Sequence, residues 1–161
     1  MSPPGRPKGE YRSAQHEGTP VTADTERVAA LQAQCDASPF IRFVGIQVTA
    51  IDQQAMRVTF RMPFKPEFER GAGTGQWHGG PIASLIDTAG CMAVIAVSAR
   101  AAGTIDFRTD YLRPAAGPWL DAVGIVRRAG RTMGVADVDV FDSSGKLVAT
   151  GRGSFFLEAA K

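Results

Sequence analysis

Two glycines and one aspartate are spaced in this sequence in a way that suits acyl-transfer chemistry. Gly79 and Gly80 precede an apolar run in which Pro81 fits the first turn of a helix. A helix N-terminus presents unpaired N–H groups, and glycine lets a carbonyl oxygen approach them closely. Asp87 follows about two turns later, in a stretch otherwise too apolar to hold an unpaired carboxylate. Donors for an oxyanion beside a partly desolvated carboxylate are the parts that acyl transfer requires.

The same residues also allow a purely structural interpretation. Gly79-Gly80 could be only the joint between a loop and a helix, and Asp87 could be a core carboxylate whose neighbours satisfy it. Perturbed carboxylates occur in structural networks as well as in active sites. Residue types and spacing leave both interpretations open.

Length and composition indicate one globular domain. We predict a flexible tail over residues 1–21, which have little apolar content, and a single domain over residues 22–161. The net charge of +2 and the scattered arginines give no basis for a nucleic-acid partner. The apolar run over 82–99 is nearly long enough to span a bilayer, but Asp87 within it favours a buried helix, so we expect no membrane partner. No secretory signal is visible, and we expect a cytoplasmic protein.

Apolar periodicity predicts two helices and six strands. The first predicted helix is capped by Thr22 or Asp24, runs to about Cys35 and is ended by Pro39. The second begins at Gly80-Pro81 and ends near Arg100 to Gly103. The predicted strands are Ile46–Asp52, Met56–Met62, Thr104–Leu112, Trp119–Arg127, Thr132–Phe141 and Leu147–Leu157. The second strand alternates cleanly, with Met56, Val58, Phe60 and Met62 on one face.

The second helix is apolar almost all round, so other elements must wrap it. In the last strand Ala149, Gly151 and Gly153 share one face and are small enough to let a helix approach. A strand pair, one long helix and four further strands therefore predict an α+β fold in which an antiparallel sheet curls around the helix.

Three motifs together resemble a known family. The sequence HGGPIASLID over 78–87 is followed by YLRP over 111–114 and by the basic turn RRAGR over 127–131. In that order they resemble hotdog-fold thioesterases of the PaaI-like (phenylacetyl-CoA thioesterase-like) group, from about Phe43 to Leu157. The resemblance implies a hotdog fold and hydrolysis of an acyl-CoA thioester. It also implies a homodimer or homotetramer with no metal and no cofactor, because coenzyme A is part of the substrate.

The resemblance also implies roles for residues around the helix start. The Gly79 amide would polarise the thioester carbonyl, with Gly80 beside it, and Asp87 would act as a general base on water or as a nucleophile. Thr104 matches a Ser or Thr near the attacking water. His78 matches a residue that shapes the loop, and direct proton transfer by its ring is the alternative.

The basic turn is the second region that the resemblance assigns. Arg128, Gly130 and Arg131 match residues that contact the nucleotide or phosphates of coenzyme A, and arginine suits phosphate geometry. The alternative is that these arginines are ordinary exposed charges at a hairpin tip.

One position departs from the family pattern. Relatives often carry Asn or Gln six residues before the motif histidine, where this sequence has Ala72. Either Gln76 or a loop residue such as Glu69 could substitute, which concerns the rate and the substrate more than the reaction class. Phe64 and Phe68, with Trp77 nearby, hint at an aromatic or medium-length acyl pocket, although such residues are equally ordinary packing.

Two other function classes remain as alternatives. One is a hotdog module that binds acyl-CoA without cleaving it, and the other is a hotdog dehydratase or hydratase, which would need a histidine paired with a carboxylate. Two distant histidines and the distant Cys35 and Cys91 cannot supply a regular metal site, and Cys91 in its apolar run is expected to be a buried thiol.

Overall fold

The computed structural model describes residues 21–159 as three helices and six strands. The helices are α1 (Val21–Ala37), α2 (Pro39–Val44) and α3 (Gly79–Ser98). The strands are β1 (Gln47–Asp52), β2 (Arg57–Pro63), β3 (Ala102–Tyr111), β4 (Trp119–Ala129), β5 (Met133–Asp142) and β6 (Leu147–Leu157). A single 3-10 turn, Pro66–Phe68, lies in the long loop before α3. The predicted tail lies almost wholly outside the described residues, so it stays a prediction.

All six strands form one antiparallel sheet in the order β1-β2-β4-β5-β6-β3. Helix α3 packs against every strand from β2 to β6, so the sheet curls around it, and α1 covers β1. Although α3 is long and apolar enough to cross a membrane, it lies in the core of the fold, where Leu85, Ala89 and Ala93 are completely buried. The predicted α+β architecture is confirmed.

Glycines bring the sheet close to α3. A Cβ on Gly124 of β4 would lie 2.9 Å from the carbonyl oxygen of Ala89, and one on Gly151 of β6 would lie 2.5 Å from Ile86. Gly153, which was also predicted to admit the helix, instead makes room for the ring of Phe155. The small-residue prediction therefore holds at Gly151 and is wrong at Gly153.

Helix α2 was not predicted, because Pro39 was expected to end a helix. It begins one instead. The Oγ of Ser38 accepts a hydrogen bond from the N–H of Ile41, and Pro39 occupies the first turn, where a missing N–H matters little. Ile41 is buried while Phe40 is half exposed, so α2 presents an aromatic ring to solvent.

Other element boundaries also differ from the predictions. Helix α1 begins at Val21, so Thr22 and Asp24 lie in its first turn and not at its cap. Met56 was expected on the buried face of β2, but it lies in the β1–β2 turn with a left-handed φ of 49° and is exposed.

The C-terminus of α3 comes earlier than Arg100 to Gly103. Ala99 adopts the left-handed conformation, and its N–H donates to the carbonyl of Ile95. Arg100 follows this cap and donates to the carbonyl oxygens of Arg131, Leu157 and Glu158, so it links the helix end to the β4–β5 turn and to the end of β6.

Strand β3 lies at an edge of the sheet and contains one extra residue. Thr104 pairs with Phe155 and Asp106 pairs with Ser154, which leaves Ile105 without a partner in the ladder as a β-bulge. The bulge reverses the alternation of β3. Thr104 consequently faces α3, whereas Asp106 lies on the outer face of the sheet.

Candidate active site

The start of α3 leaves one backbone donor free. Of the first four N–H groups of a helix, none has a partner within the helix. Here the N–H of His78 donates to the carbonyl of Phe68 at 2.7 Å, the N–H of Gly80 donates to Nδ1 of His78 at 3.0 Å, and Pro81 has no N–H. The N–H of Gly79 is left without an acceptor among the described residues, at the positive end of the helix dipole.

His78 is the N-cap of α3. Its Nδ1 accepts from Gly80, and the residue itself is exposed. This contact agrees with a role in shaping the loop, which the family resemblance implied. The hydrogen bond also occupies Nδ1, one of the two ring nitrogens that could transfer a proton.

Tyr111 contacts the carbonyl group of Gly79. Its hydroxyl donates to the Gly79 carbonyl oxygen at 2.8 Å, and a Cβ on Gly79 would lie only 3.1 Å from that hydroxyl. A Cβ at this position would need the Tyr111 side chain to shift slightly, so glycine suits both this contact and access to a substrate. Sequence reasoning gave Tyr111 no role, although it begins the YLRP motif.

Asp87 and Thr104 meet across the gap between α3 and β3. The Thr104 hydroxyl donates to Oδ1 of Asp87 at 2.7 Å. Asp87 is half-buried, and Thr104 is exposed in the single protomer. The carboxylate thus has one side-chain donor and an open face, which favours the chemical interpretation of Asp87 over that of a satisfied core residue.

These two residues line a cleft of about 240 Å³ between α2, α3 and β3. Its polar part holds Asp87 and Thr104, and its apolar part holds side chains that sequence analysis did not assign to the site. The full lining is Ser38, Phe40, Ile41, Ser84, Asp87, Thr88, Cys91, Met92, Gly103 and Thr104.

Cys91 lies in this cleft one turn beyond Asp87 and is half-buried, not fully buried as expected. Burial raises the pKa of its thiol to about 11, and the nearby Asp87 carboxylate contributes to the same shift. A thiol with this pKa is protonated at neutral pH and is a poor nucleophile. Its position four residues after Asp87 is the signal that could have placed it in the site.

The candidates for replacing the family's Asn or Gln are engaged within the loop. The Glu69 carboxylate accepts the N–H groups of Gly73 and Gly75 at 2.9 and 2.6 Å, and these bonds hold the pKa of Glu69 below its usual value. Gln76 accepts from Arg70 through its side-chain oxygen at 3.4 Å. Neither side chain lines the Asp87 cleft.

The loop aromatics form a packed cluster. The ring of Trp77 is 5.2 Å from that of Phe64 and 6.0 Å from that of Phe68, and its Nε1 donates to the carbonyl of Gly117. None of the three aromatic residues lines the Asp87 cleft, whereas Trp77 lines a space beside Gly79, so a part in an acyl pocket stays a prediction.

The basic turn lies at the tip of the β4–β5 hairpin, near the C-terminal end of α3. Arg128 and Arg131 are exposed, Gly130 donates to Met133 within the turn, and Arg100 binds the Arg131 carbonyl. Because α3 rises about 1.5 Å per residue, this end is about 30 Å from its start. Within one protomer the structure does not bring the predicted phosphate contacts together with the start of α3.

The described side chains offer no obvious place for a metal ion. Over residues 21–159 no group of three or more His, Cys, Asp or Glu side chains is arranged to share one. The expectation of metal-free and cofactor-free chemistry stays a prediction.

Known proteins are similar to this chain in sequence and in fold. Residues 74–149 match the family model of the thioesterase superfamily. A Halobacterium salinarum protein whose esterase name is provisional is 39% identical over 82% of this chain and 93% of its own length. Human acyl-coenzyme A thioesterase 13 is 30% identical over 76% of this chain and 87% of its own. The structure of the Escherichia coli PaaI protein, from the phenylacetic acid degradation operon, superposes with a TM-score of 0.73, at 26% identity, over 86% of this chain and 97% of that one. The chain therefore belongs to the thioesterase superfamily and has its hotdog fold.

Proposed function

We propose that this protein hydrolyses acyl-CoA thioesters to a free acid and coenzyme A. The observation that carries the proposal is a free Gly79 N–H at the start of α3 together with the Asp87 carboxylate in an open cleft along the same helix. The 30% identity to an acyl-coenzyme A thioesterase supports the choice of substrate class. The proposal includes a cytoplasmic location and a reaction without metal or cofactor, as the sequence predicts.

In the proposed reaction Asp87 first takes up a proton and later gives it back. Asp87 accepts a proton from water, whose oxygen adds to the thioester carbonyl carbon, and the Gly79 N–H donates to the oxyanion that forms. Collapse of this intermediate breaks the carbon–sulfur bond, and the departing thiolate takes the proton from Asp87. The Thr104 hydroxyl keeps the carboxylate in one orientation. Direct attack by Asp87, followed by hydrolysis of the resulting anhydride, would use the same groups.

We further propose that each site is shared between two protomers. Gly79 and Asp87 are eight residues apart on α3, which separates them by about 12 Å along its axis. An oxyanion donor and a base must both lie about 3 Å from the reacting atoms. Pairing two copies would place Gly79 of one protomer near the partner's Asp87.

The edge strand β3 offers the surface for such a dimer. Among the described strands it pairs only with β6, and Ile105 on it is 57% exposed. Continuing the sheet through β3 of a second copy would cover this edge and the exposed Thr104. A dimer of such dimers, which would give the tetramer, is part of the same proposal.

An assay of thiol release from a panel of acyl-CoAs tests the activity. Asp87→Asn should reduce kcat by about 100-fold or more, since a general base is lost while the side chain keeps its shape. Asp139→Asn, on the outer face of β5 away from this edge strand, is the matched control and should keep the wild-type rate. Near-wild-type turnover in Asp87→Asn would show that Asp87 is neither the general base nor the nucleophile.

The same assay separates the two alternatives. Binding of acyl-CoA without thiol release by the wild-type protein would indicate a binding module. Conversion of an enoyl-CoA to a hydroxyacyl-CoA with the thioester intact would indicate a hydratase. A hydratase is not favoured here, because Nδ1 of His78 is engaged by Gly80.

A further inference from the structure

The Asp87 cleft continues past the carboxylate into an apolar space. Beyond Asp87 its walls are Phe40 and Ile41 of α2 on one side and Cys91 and Met92 of α3 on the other. The ring of Phe40 is 50% exposed in the protomer, although it faces this space. An apolar ligand in the cleft would cover that ring and remove its surface from water.

A larger space begins one helical turn later on α3. This cavity of about 480 Å³ lies between α1, β1 and the C-terminal half of α3. Its apolar lining is Ala30, Leu31, Ile51, Ile95, Ala96, Ala99 and Ala101. Ile95 and Ala96 follow Met92 by three and four residues, so they lie on the same side of the helix as Met92.

Cys91 and Met92 are therefore the last cleft residues on α3 before the larger cavity, and Met92 has the longer side chain of the two. Methionine is unbranched and flexible, and it fills irregular gaps without a fixed shape. It is half-buried here and packs on the hydrophobic core. Shortening its side chain would lengthen the cleft in the direction of the larger cavity.

We propose that the apolar end of the Asp87 cleft holds the acyl chain and that Met92 sets the longest chain that fits. This assignment rests on the proposed thioesterase function. The cleft has a volume of about 240 Å³, part of which belongs to its polar end around Asp87 and Thr104. The preferred substrates are therefore unbranched acyl-CoAs of medium length.

Kinetics across a chain-length series test this boundary. With acyl-CoAs from four to sixteen carbons, kcat/KM of the wild-type protein should rise by about fourfold per methylene while each methylene is buried, and should stop rising within the medium-length range. Met92→Ala should move that limit to longer chains by several carbons, measured as kcat/KM of each chain length relative to butyryl-CoA. Met56→Ala, which shortens an exposed methionine, is the matched control and should leave the whole profile unchanged.

A second substitution locates the space that the longer chains enter. Ala96→Phe fills the larger cavity. It should leave the wild-type profile unchanged but return the Met92→Ala protein to the wild-type limit. Met92→Phe enlarges the side chain instead and should reduce the longest acyl chain that the protein accepts by several carbons.

The outcomes are distinguishable. A wild-type protein that is active but keeps the same chain-length limit in Met92→Ala and Met92→Phe would overturn the acyl-chain assignment and leave the thioesterase function standing. Absence of thiol release from every chain length, including butyryl-CoA, would overturn the proposed function and this assignment with it.

Discussion

The hydroxyl of Thr104 donates a 2.7 Å hydrogen bond to Oδ1 of Asp87, which links the edge strand β3 to the central helix. Removing the donor in Thr104→Val should lower kcat by about 10-fold, because a hydrogen bond to a charged group is lost where the carboxylate must be oriented. Thr104→Ser keeps the hydroxyl and should remain close to the wild-type rate. Equal rates in the two variants would show that orientation by Thr104 is unimportant.

Two substitutions of His78 distinguish a structural role of this residue from a chemical one. His78→Ala removes the N-cap and should lower the stability by about 1 kcal/mol, which thermal unfolding would measure. His78→Asn can accept the same N–H and should restore both stability and turnover. If the Asn variant is stable but as inactive as Asp87→Asn, the imidazole takes part in proton transfer.

Gly79 allows the oxyanion donor to be removed without breaking the helix. Gly79→Pro deletes the N–H at a position that tolerates proline, and kcat should fall by about 100-fold or more. Gly79→Ala is the control, since it adds the same Cβ near the Tyr111 hydroxyl, 3.1 Å away, but keeps the N–H. It should lose much less activity than the proline variant.

Mixing the inactive variants tests the shared site. After exchange of Gly79→Pro and Asp87→Asn protomers, half of the dimers are mixed and each mixed dimer has one intact site. About a quarter of the wild-type activity should return. No recovery after exchange verified by mass spectrometry, or full activity in a monomer measured by light scattering, would contradict sharing.

The basic turn should affect substrate binding more than chemistry. Replacing Arg128 and Arg131 by alanine should raise KM for acyl-CoA by about 10-fold with a small change in kcat, and the penalty should shrink in high salt. Arg108 and Arg152, exposed on the outer face of the sheet, form a charge-matched control pair. An unchanged KM in the turn variant would make those arginines ordinary surface charges.

Cys91 reports on the charge of the cleft. Its pKa is raised to about 11 from an ordinary 9.0, so its thiolate is scarce at pH 8 and alkylation by iodoacetamide should accelerate about 10-fold per pH unit up to pH ~10. Asp87→Asn removes one cause of the shift and should speed alkylation at a given pH. Mass spectrometry of the Cys91 peptide measures both rates, and a plateau below pH 9 would contradict the environment seen here.

Sequence patterns predicted the layout of the fold because its main elements have strong local signals. The apolar stretch of α3 and the turn residues between strands are visible within short windows. Helix α2 was missed because Ser38-Pro39 follows a helix closely, and proline is compatible with both the end of one helix and the start of the next.

Contacts at the site were harder to predict than elements. The bond between Tyr111 and Gly79 joins residues 32 positions apart. The contact between Asp87 and Thr104 depends on a bulge that no alternation pattern reveals. Local sequence indicated which residues have suitable chemistry, whereas the register of β3 decides which of them meet.

Because of the bulge at Ile105, the number of residues in β3 matters as much as their identity. On one side of this residue Thr104 faces α3, and on the other Phe107 packs on the core. A continuous strand can keep only one phase of alternation. Deletion of one codon here would therefore either turn Thr104 away from Asp87 or turn Phe107 out of the core. An engineer who shortens or regularises this strand must choose between an inactive protein and an unstable one.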